Sequence, residues 1–369
     1  MQRNPDVIIV GGGVIGCAIA YHLASAGVSV TLFERKEVAG EASGAAAGML
    51  APLSESPRPG PFVELCLASL SLFPALADAL REETGIDIEY VPSGILRVAL
   101  TEDEERELRH RLEWQRSLGL PLEWVDGEAL RRLEPRLAPA RGALYSAQEH
   151  QVSAGRLTQA LAQAAARRGA VLRQDTAVTG LLTNGGRVAG VRTSSDKVSA
   201  GHIVLAAGSW TGVFARRLGV PLPVRPVRGQ MLALADFALP LRHIVWSEAA
   251  YLVPKANGFL FVGATVEDVG FRTSITVRGQ RRLQRGACGL VPSLVHGEVA
   301  SSWAGLRPAS PDGLPILGPV AGWEGVSVAG GHYRNGILLA PITGRVMAQL
   351  LTEGKTEVSL APFSAGRFG

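Results

Sequence analysis

Gly11-x-Gly13-x-x-Gly16 follows a short apolar run and opens a run of helix formers. The first glycine permits a tight turn, the second lets a pyrophosphate approach the backbone, and the third lets helix and strand pack closely. The phosphates then sit at the helix N-terminus. Glu34 stands 23 residues after Gly11, at the end of a second apolar run. A carboxylate there can accept ribose hydroxyls. The chemistry implied is binding of an ADP-containing dinucleotide, either FAD or NAD. A second small-residue segment, VLAAGSW at 204–210, contains Ala207, Gly208 and Trp210 and ends another apolar run. Small residues there permit close backbone approach to a ligand. Toward the C-terminus, GLRPASPDGLP at 305–315 and AGGHYRNGI at 329–337 set Arg307 and Arg334 among glycine, proline and apolar residues. A guanidinium in such surroundings needs an anionic partner, which could be a ligand or a structural carboxylate. Gly336, ahead of an apolar helix, aims backbone donors at an anion or an electron-rich ring edge.

The elements that must position these residues are legible. Residues 6–10 read as a buried strand, 14–26 as a helix ended by Gly27, and 28–33 as a second strand. That is a βαβ unit. The stretch 40–50 is too small and glycine-rich to pack large side chains, so it turns or lies against a ligand. A helix is expected over 61–84, broken or kinked at Pro74. Thr101 and the acids after it cap an amphipathic helix over 101–117, with Leu108 and Leu112 on its inner face. Another helix spans 155–169. Strands near 171–174 and 187–193 flank Asn184-Gly185-Gly186, a hairpin turn signal. A buried strand covers 203–206, alternating strands over 222–304 read as an antiparallel sheet, and an apolar helix runs from 337 to 351. With no repeat and no linker, the domain borders are discontinuous.

Composition narrows the class. A chain of 369 residues is long enough for two or three domains. Its 47% hydrophobic content excludes a disordered chain. Its 44 glycines have no three-residue period, which excludes collagen. Cys17, Cys66 and Cys288 form neither a C-x-x-C pair nor a zinc spacing, so no metal site and no disulfide framework is expected. Basic and acidic residues alternate through most of the chain at a net charge of +4, which argues against nucleic acid. No signal peptide and no 18-residue apolar window is read, so no membrane anchor is expected and a cytoplasmic location follows.

Taken in order, several segments resemble the FAD-dependent oxidases and dehydrogenases of amines and D-amino acids. They are IIVGGGVIGCAIAYHLA with FER, ASGAAAGML, VLAAGSW, PVRGQ, YLVP with VGAT, GLRPASPDGLP and GHYRNGILLAPITG. Within that family the chain is most similar to the glycine oxidase branch of thiamine biosynthesis. The resemblance implies an α/β fold: a Rossmann-like FAD-binding domain (1–85, 145–215 and 305–369) and a discontinuous antiparallel-sheet substrate domain (86–144 and 216–304). Gly11, Gly13, Val14, Ile15 and Gly16 would serve the pyrophosphate, and Glu34 and Arg35 the adenosine ribose. Ala42, Ser43, Ala47, Gly48 and Met49 would line the flavin and ribityl chain. Val178 would meet adenine, with Ala207, Gly208 and Trp210 completing the cofactor wall. His332, Tyr333, Arg334, Asn335, Gly336, Ile337 and Leu338 would wrap the flavin ring. Arg307 and Tyr251 would hold the substrate carboxylate, with Arg334 beside the substrate.

The resemblance also implies noncovalent FAD, because no cysteine lies beyond Cys288. It implies oxygen as electron acceptor, a small amino acid as substrate, no catalytic acid or base, and a homo-oligomer, a tetramer. Val266 would narrow the active site. A D-amino acid dehydrogenase and a sarcosine-type N-methyl amino acid oxidase are the competing activities.

Overall fold

The computed structural model describes residues 4–235 and 241–369. The N-terminal βαβ unit forms as expected. Val7–Val10 and Val30–Phe33 are parallel neighbours in register Val7 to Val30, joined by the helix Val14–Ser25. Both strands are buried along their whole length, as strands of a parallel sheet covered on both faces are. Four more strands complete a six-stranded sheet in the order 316–319, 326–330, 202–205, 7–10, 30–33, 171–173. All pairs are parallel except the edge pair Ile316–Pro319 with Val326–Gly330. The helices Val14–Ser25, Ala154–Arg167 and Gly336–Glu353 pack together on this sheet and share one apolar core.

The hairpin turn at Asn184-Gly185-Gly186 is real, but one strand differs from expectation. The partner of Arg187–Thr193 is Val178–Asn184, not 171–174. Val171–Arg173 instead joins the edge of the large sheet beside Val30–Phe33. The 178–184 segment is half-exposed and lacks a continuous apolar face, so its periodicity was weak.

The antiparallel sheet expected over 222–304 is larger than that range. Eight strands run in the order 298–309, 225–235, 259–263, 251–254, 244–246, 95–99, 142–146, 122–126. One internal pair, Ile244–Trp246 with Ile95–Ala99, is parallel. The long strands Arg225–Ala235 and Glu298–Ala309 pair along their length, placing Val227 opposite Arg307 and Gly229 opposite Gly305. The register shifts once, between Ala233 and Leu234.

The 61–84 helix is two helices, Pro61–Ser71 and Phe73–Thr84, divided at Leu72. Pro74 falls in the first turn of the second, where its missing N–H costs nothing. This stretch carries an 18-residue window of mean hydropathy 1.6, apolar enough by length and composition to cross a membrane. The expectation that no such window exists therefore fails. In the fold, Val63, Leu65, Cys66, Phe73 and Leu80 point into the protein core. The amphipathic helix Glu102–Ser117 is capped by Thr101 as expected, and the cap is a full capping box: Thr101 accepts from the Glu104 amide, and Glu104 accepts from the Thr101 amide.

Three wholly or partly buried histidines give the fold a pH dependence. Burial pushes His332 down to about 3. Burial, with Arg345 and Arg168 nearby, pushes His22 down to about 4; burial with Arg187 does the same to His202. Below the ordinary value near 6.5 the unfolded chain binds protons that the folded chain does not, so stability is lost as pH falls through that window. A fully neutral buried histidine contributes a slope of about 1.4 kcal/mol per pH unit. Glu149 acts with the opposite sign, since burial raises its carboxyl above the ordinary value. We therefore expect Tm to fall between pH 6.5 and 5, and to fall less steeply in His202→Asn. An equal slope in that variant would show that His202 is not held neutral.

Candidate active site

Two adjoining cavities, of about 1130 and 1120 Å³ including their mouths, lie between the two sheets. Both are lined by Gly13, Ala42, Ser43, Ala206 and Gly208. Together they form one elongated site, as a dinucleotide would require.

The first half is built by the βαβ unit. A Cβ on Gly16 would sit 1.9 Å from the Gly11 carbonyl oxygen, and one on Gly11 would sit 2.3 Å from the Ala206 oxygen. Only glycine lets turn, helix and neighbouring strand close this tightly. The helix that follows has no acid in its first turn and no side-chain cap, so its N-terminus faces the cavity open to an anion. The Val14 amide is the exception, donating to Ser43 Oγ at 2.9 Å. The Glu34 carboxylate accepts from the Gly12 amide at 2.7 Å and the Lys36 amide at 2.9 Å, which fixes it on the cavity wall. Arg35 also lines this half; it pairs with Glu41, and its guanidinium lies 3.5 Å from the centre of the Trp210 ring. Val178, Ala207 and Trp210 complete the wall.

The second half is lined by Val14, Ile15, Ala47, Gly48, Met49, Tyr251, Arg307, His332, Tyr333, Arg334, Asn335, Gly336 and Ile337. Gly16 and Leu338 are on neither cavity wall. Gly16 acts through packing. Leu338 is buried in the core, where its carbonyl accepts from Ser69 Oγ at 2.6 Å. Val266 also lines neither cavity and is 53% exposed. Its expected narrowing of the site is not seen.

Three charged side chains face this half. Arg334 Nε donates to Glu55 at 2.8–2.9 Å. Burial alone would weaken the Arg334 charge, but Glu55 outweighs it and holds the guanidinium protonated. Arg307 Nη1 donates to the Thr265 carbonyl at 3.1 Å, and no carboxylate pairs with Arg307 among the described residues. Two cations and one carboxylate leave one positive charge uncompensated. Tyr251 lies beside them, its hydroxyl 3.2 Å from Met231 Sδ. Burial pushes its phenol above the ordinary value, although Arg307 and Arg334 pull it back, so it remains a donor. His332 is buried and neutral, with Nε2 3.1 Å from Thr343 Oγ1. Tyr333 holds a left-handed φ of 48°, and its amide donates to Pro308 at 2.9 Å, tying the 332–337 loop to the strand that carries Arg307.

Sequence reading missed Glu55, Met231, Gly229 and Gly305, all on this wall. Glu55 carries no local signal, because only the fold brings it to Arg334. Gly229 was legible as part of PVRGQ but not for its role. A Cβ there would lie 2.2 Å from Arg307 Nη1. Gly229→Ala is expected to displace the guanidinium and raise KM roughly tenfold, at a stability cost of about 1 kcal/mol or less, since the flexible end of a side chain gives way. An unchanged KM would mean that Arg307 does not work from this position.

The donor set suits FAD on the structure alone: an open helix N-terminus between two half-sites, a fixed carboxylate at one end, small residues along the walls and polar groups at the other. Residues 6–350 match the FAD dependent oxidoreductase family, DAO. The chain is 41% identical over 372 residues to the glycine oxidase of Geobacillus kaustophilus, covering all of this chain and 98% of that protein. It is 37% identical over 368 residues to the bifunctional protein ThiO/ThiG of Trichormus variabilis, covering 98% of this chain but 55% of that one. The crystal structure of glycine oxidase from Geobacillus kaustophilus superimposes with a TM-score of 0.95 at 40% identity, over 99% of both chains. Sequence, fold and site agree that the chain belongs to the DAO family of FAD-dependent oxidoreductases.

Proposed function

We propose that this enzyme oxidises glycine, and related small amines and D-amino acids, to the imine, which water converts to the 2-oxo acid and ammonia. Oxygen is the final electron acceptor and leaves as hydrogen peroxide. The observation that carries this reading is Arg307, a cation facing the cavity with a carbonyl partner and no carboxylate. A planar guanidinium suits two-point recognition of a carboxylate. Tyr251, kept protonated by burial, donates to the same group. Arg334 is already neutralised by Glu55, so a single substrate carboxylate balances the site. The likeness to the glycine oxidase of Geobacillus kaustophilus supports glycine as substrate, and that to ThiO/ThiG supports a place in thiamine biosynthesis.

The glycine-rich turn, Glu34 and the 332–337 loop would hold FAD, without a covalent bond: Cys17, Cys66 and Cys288 are free, and none lines either cavity. FAD, when bound, supplies the two-electron acceptor that turns an amine into an imine. The protein's own residues bind and orient the substrate and exclude water. Burial pushes the His332 ring down to about 3, too weak a base to take a proton from the substrate ammonium, so the amine arrives deprotonated.

The six-stranded sheet supports an FAD-binding domain over 1–85, 145–215 and 305–369; the eight-stranded sheet supports a substrate domain over 86–144 and 216–304. A cytoplasmic tetramer completes the reading.

Anaerobic titration of the yellow protein with glycine, sarcosine and D-alanine, followed by air, tests it. Bleaching by glycine, with colour and peroxide returning in air, is the expected result. Bleaching only by larger D-amino acids, or recovery only with a quinone, would place the enzyme with the D-amino acid oxidases or dehydrogenases. Faster bleaching by sarcosine would make it an N-methyl amino acid oxidase.

A further inference from the structure

One stretch of the chain gathers arginines, without acids, on a single helix. From 269 to 297 the chain holds Arg272, Arg278, Arg281, Arg282 and Arg285 and no aspartate or glutamate. The helix Val277–Leu290 organises four of them. Gly279, Leu283, Gly286, Ala287 and Leu290 form its buried face. Arg278, Arg281, Arg282 and Arg285 recur at helical spacing on the opposite face, and all four are exposed. None of the four makes an ion pair or hydrogen bond among the described residues. Other arginines of the chain do have acidic partners, as Arg225 has Asp268 and Arg173 has Asp196.

Apolar side chains flank the stripe. Ile275 is 43% and Val277 68% exposed at its start, and Val295 is 67% exposed just beyond its end. The start of the helix is anchored. The Thr276 amide donates to Gln230 Oε1 at 2.8 Å, Gln230 Nε2 donates to Thr276 Oγ1 at 3.0 Å, and Thr276 Oγ1 caps the helix by accepting from Gly279. Gln230 follows Gly229 on the strand that backs Arg307.

We propose that this face docks the enzyme on the surface of a bilayer rich in anionic lipid. The unpaired arginines complement a sheet of negative headgroups, and the exposed Ile275, Val277 and Val295 insert shallowly beside them. The apolar flanks favour a lipid surface over nucleic acid, whose phosphates offer them nothing. A second copy of this chain is disfavoured because its acid-rich helix, Glu102–Ser117, already pairs Asp103, Glu105 and Glu107 with arginines.

The test is co-sedimentation of the holoenzyme with vesicles of phosphatidylcholine alone, or of phosphatidylcholine and phosphatidylglycerol in roughly equal parts. The protein should pellet with the anionic vesicles only and be released by high salt. Binding should fall roughly fivefold for each arginine removed across the series Arg278→Gln, Arg281→Gln, Arg282→Gln and Arg285→Gln. Ile275→Ser with Val277→Ser should weaken it further. Glycine oxidation and Tm should be unchanged in each variant, and Arg131→Gln, in the helix Gly127–Leu133, should bind vesicles normally. No pelleting, or pelleting that survives the arginine series, overturns the proposal. Equal binding of duplex DNA, insensitive to the serine pair, overturns it in favour of nucleic acid. A drop in oligomer size in the arginine variants, with no vesicle binding by the parent, overturns it in favour of a second copy.

Discussion

Arg307→Ala is expected to raise the Michaelis constant for glycine by roughly 30-fold to several thousandfold, while the protein stays yellow. The range follows from the cost of leaving a buried charge unpaired, about 2–5 kcal/mol, when one partner of a desolvated pair is removed. Here the group left unpaired is the substrate carboxylate. No other described cation is free to replace Arg307, since Arg334 is held by Glu55. FAD should remain, because the glycine-rich turn and Glu34 belong to the adjoining cavity. Arg307→Lys keeps the charge but loses the planar fork, so its Michaelis constant should fall between those of the parent and the alanine variant. Steady-state kinetics with a flavin absorbance spectrum decide the matter. Loss of flavin with an unchanged Michaelis constant would falsify the carboxylate role.

Gly16→Ala should produce colourless protein. The added methyl would sit 1.9 Å from the Gly11 carbonyl oxygen and 3.3 Å from Ile9 Cγ2. Neither obstacle is the free end of a flexible side chain, so the turn itself must open. Opening it moves the helix N-terminus away from the place where the backbone would meet the pyrophosphate. Overpacking of this kind costs about 1–3 kcal/mol of stability, which should appear as a lower Tm. Gly155→Ala is the matched control: nothing lies within 4 Å of its added methyl, and the residue sits in the helix Ala154–Arg167. That variant should keep its colour and keep or slightly raise its Tm, since alanine is the better helix former. If Gly16→Ala also keeps both, close packing at the turn is not what the cofactor site depends on.

Local features were read well because their causes are local. The strand–turn–helix at 7–25 follows from an apolar run, three glycines and a helical segment. Thr101 and the acids after it announce their own helix start. The turn at Asn184-Gly185-Gly186 was likewise visible. The strand pairing across it was not, since Val178–Asn184 shows little alternation and Val171–Arg173 answers to a distant neighbour in the large sheet. The reach of the eight-stranded sheet was hidden for the same reason. Strand 95–99 joins it by pairing with 244–246, more than a hundred residues away, and carries 142–146 and 122–126 in with it; register between such distant segments is set by packing.

For the site, residue types were enough to single out Arg307 and Arg334, because a guanidinium among glycines, prolines and apolar residues demands a partner wherever it folds. Which partner each has is a tertiary fact. Glu55, 279 residues from Arg334, meets it at 2.8–2.9 Å; Arg307 meets a backbone carbonyl and is left with charge to spare. The dinucleotide turn and the family were legible in the chain alone, since both rest on residue types and spacings within short segments. The tertiary structure decided which of two similar arginines is free to bind a carboxylate, because charge compensation depends on distances that only the folded chain sets.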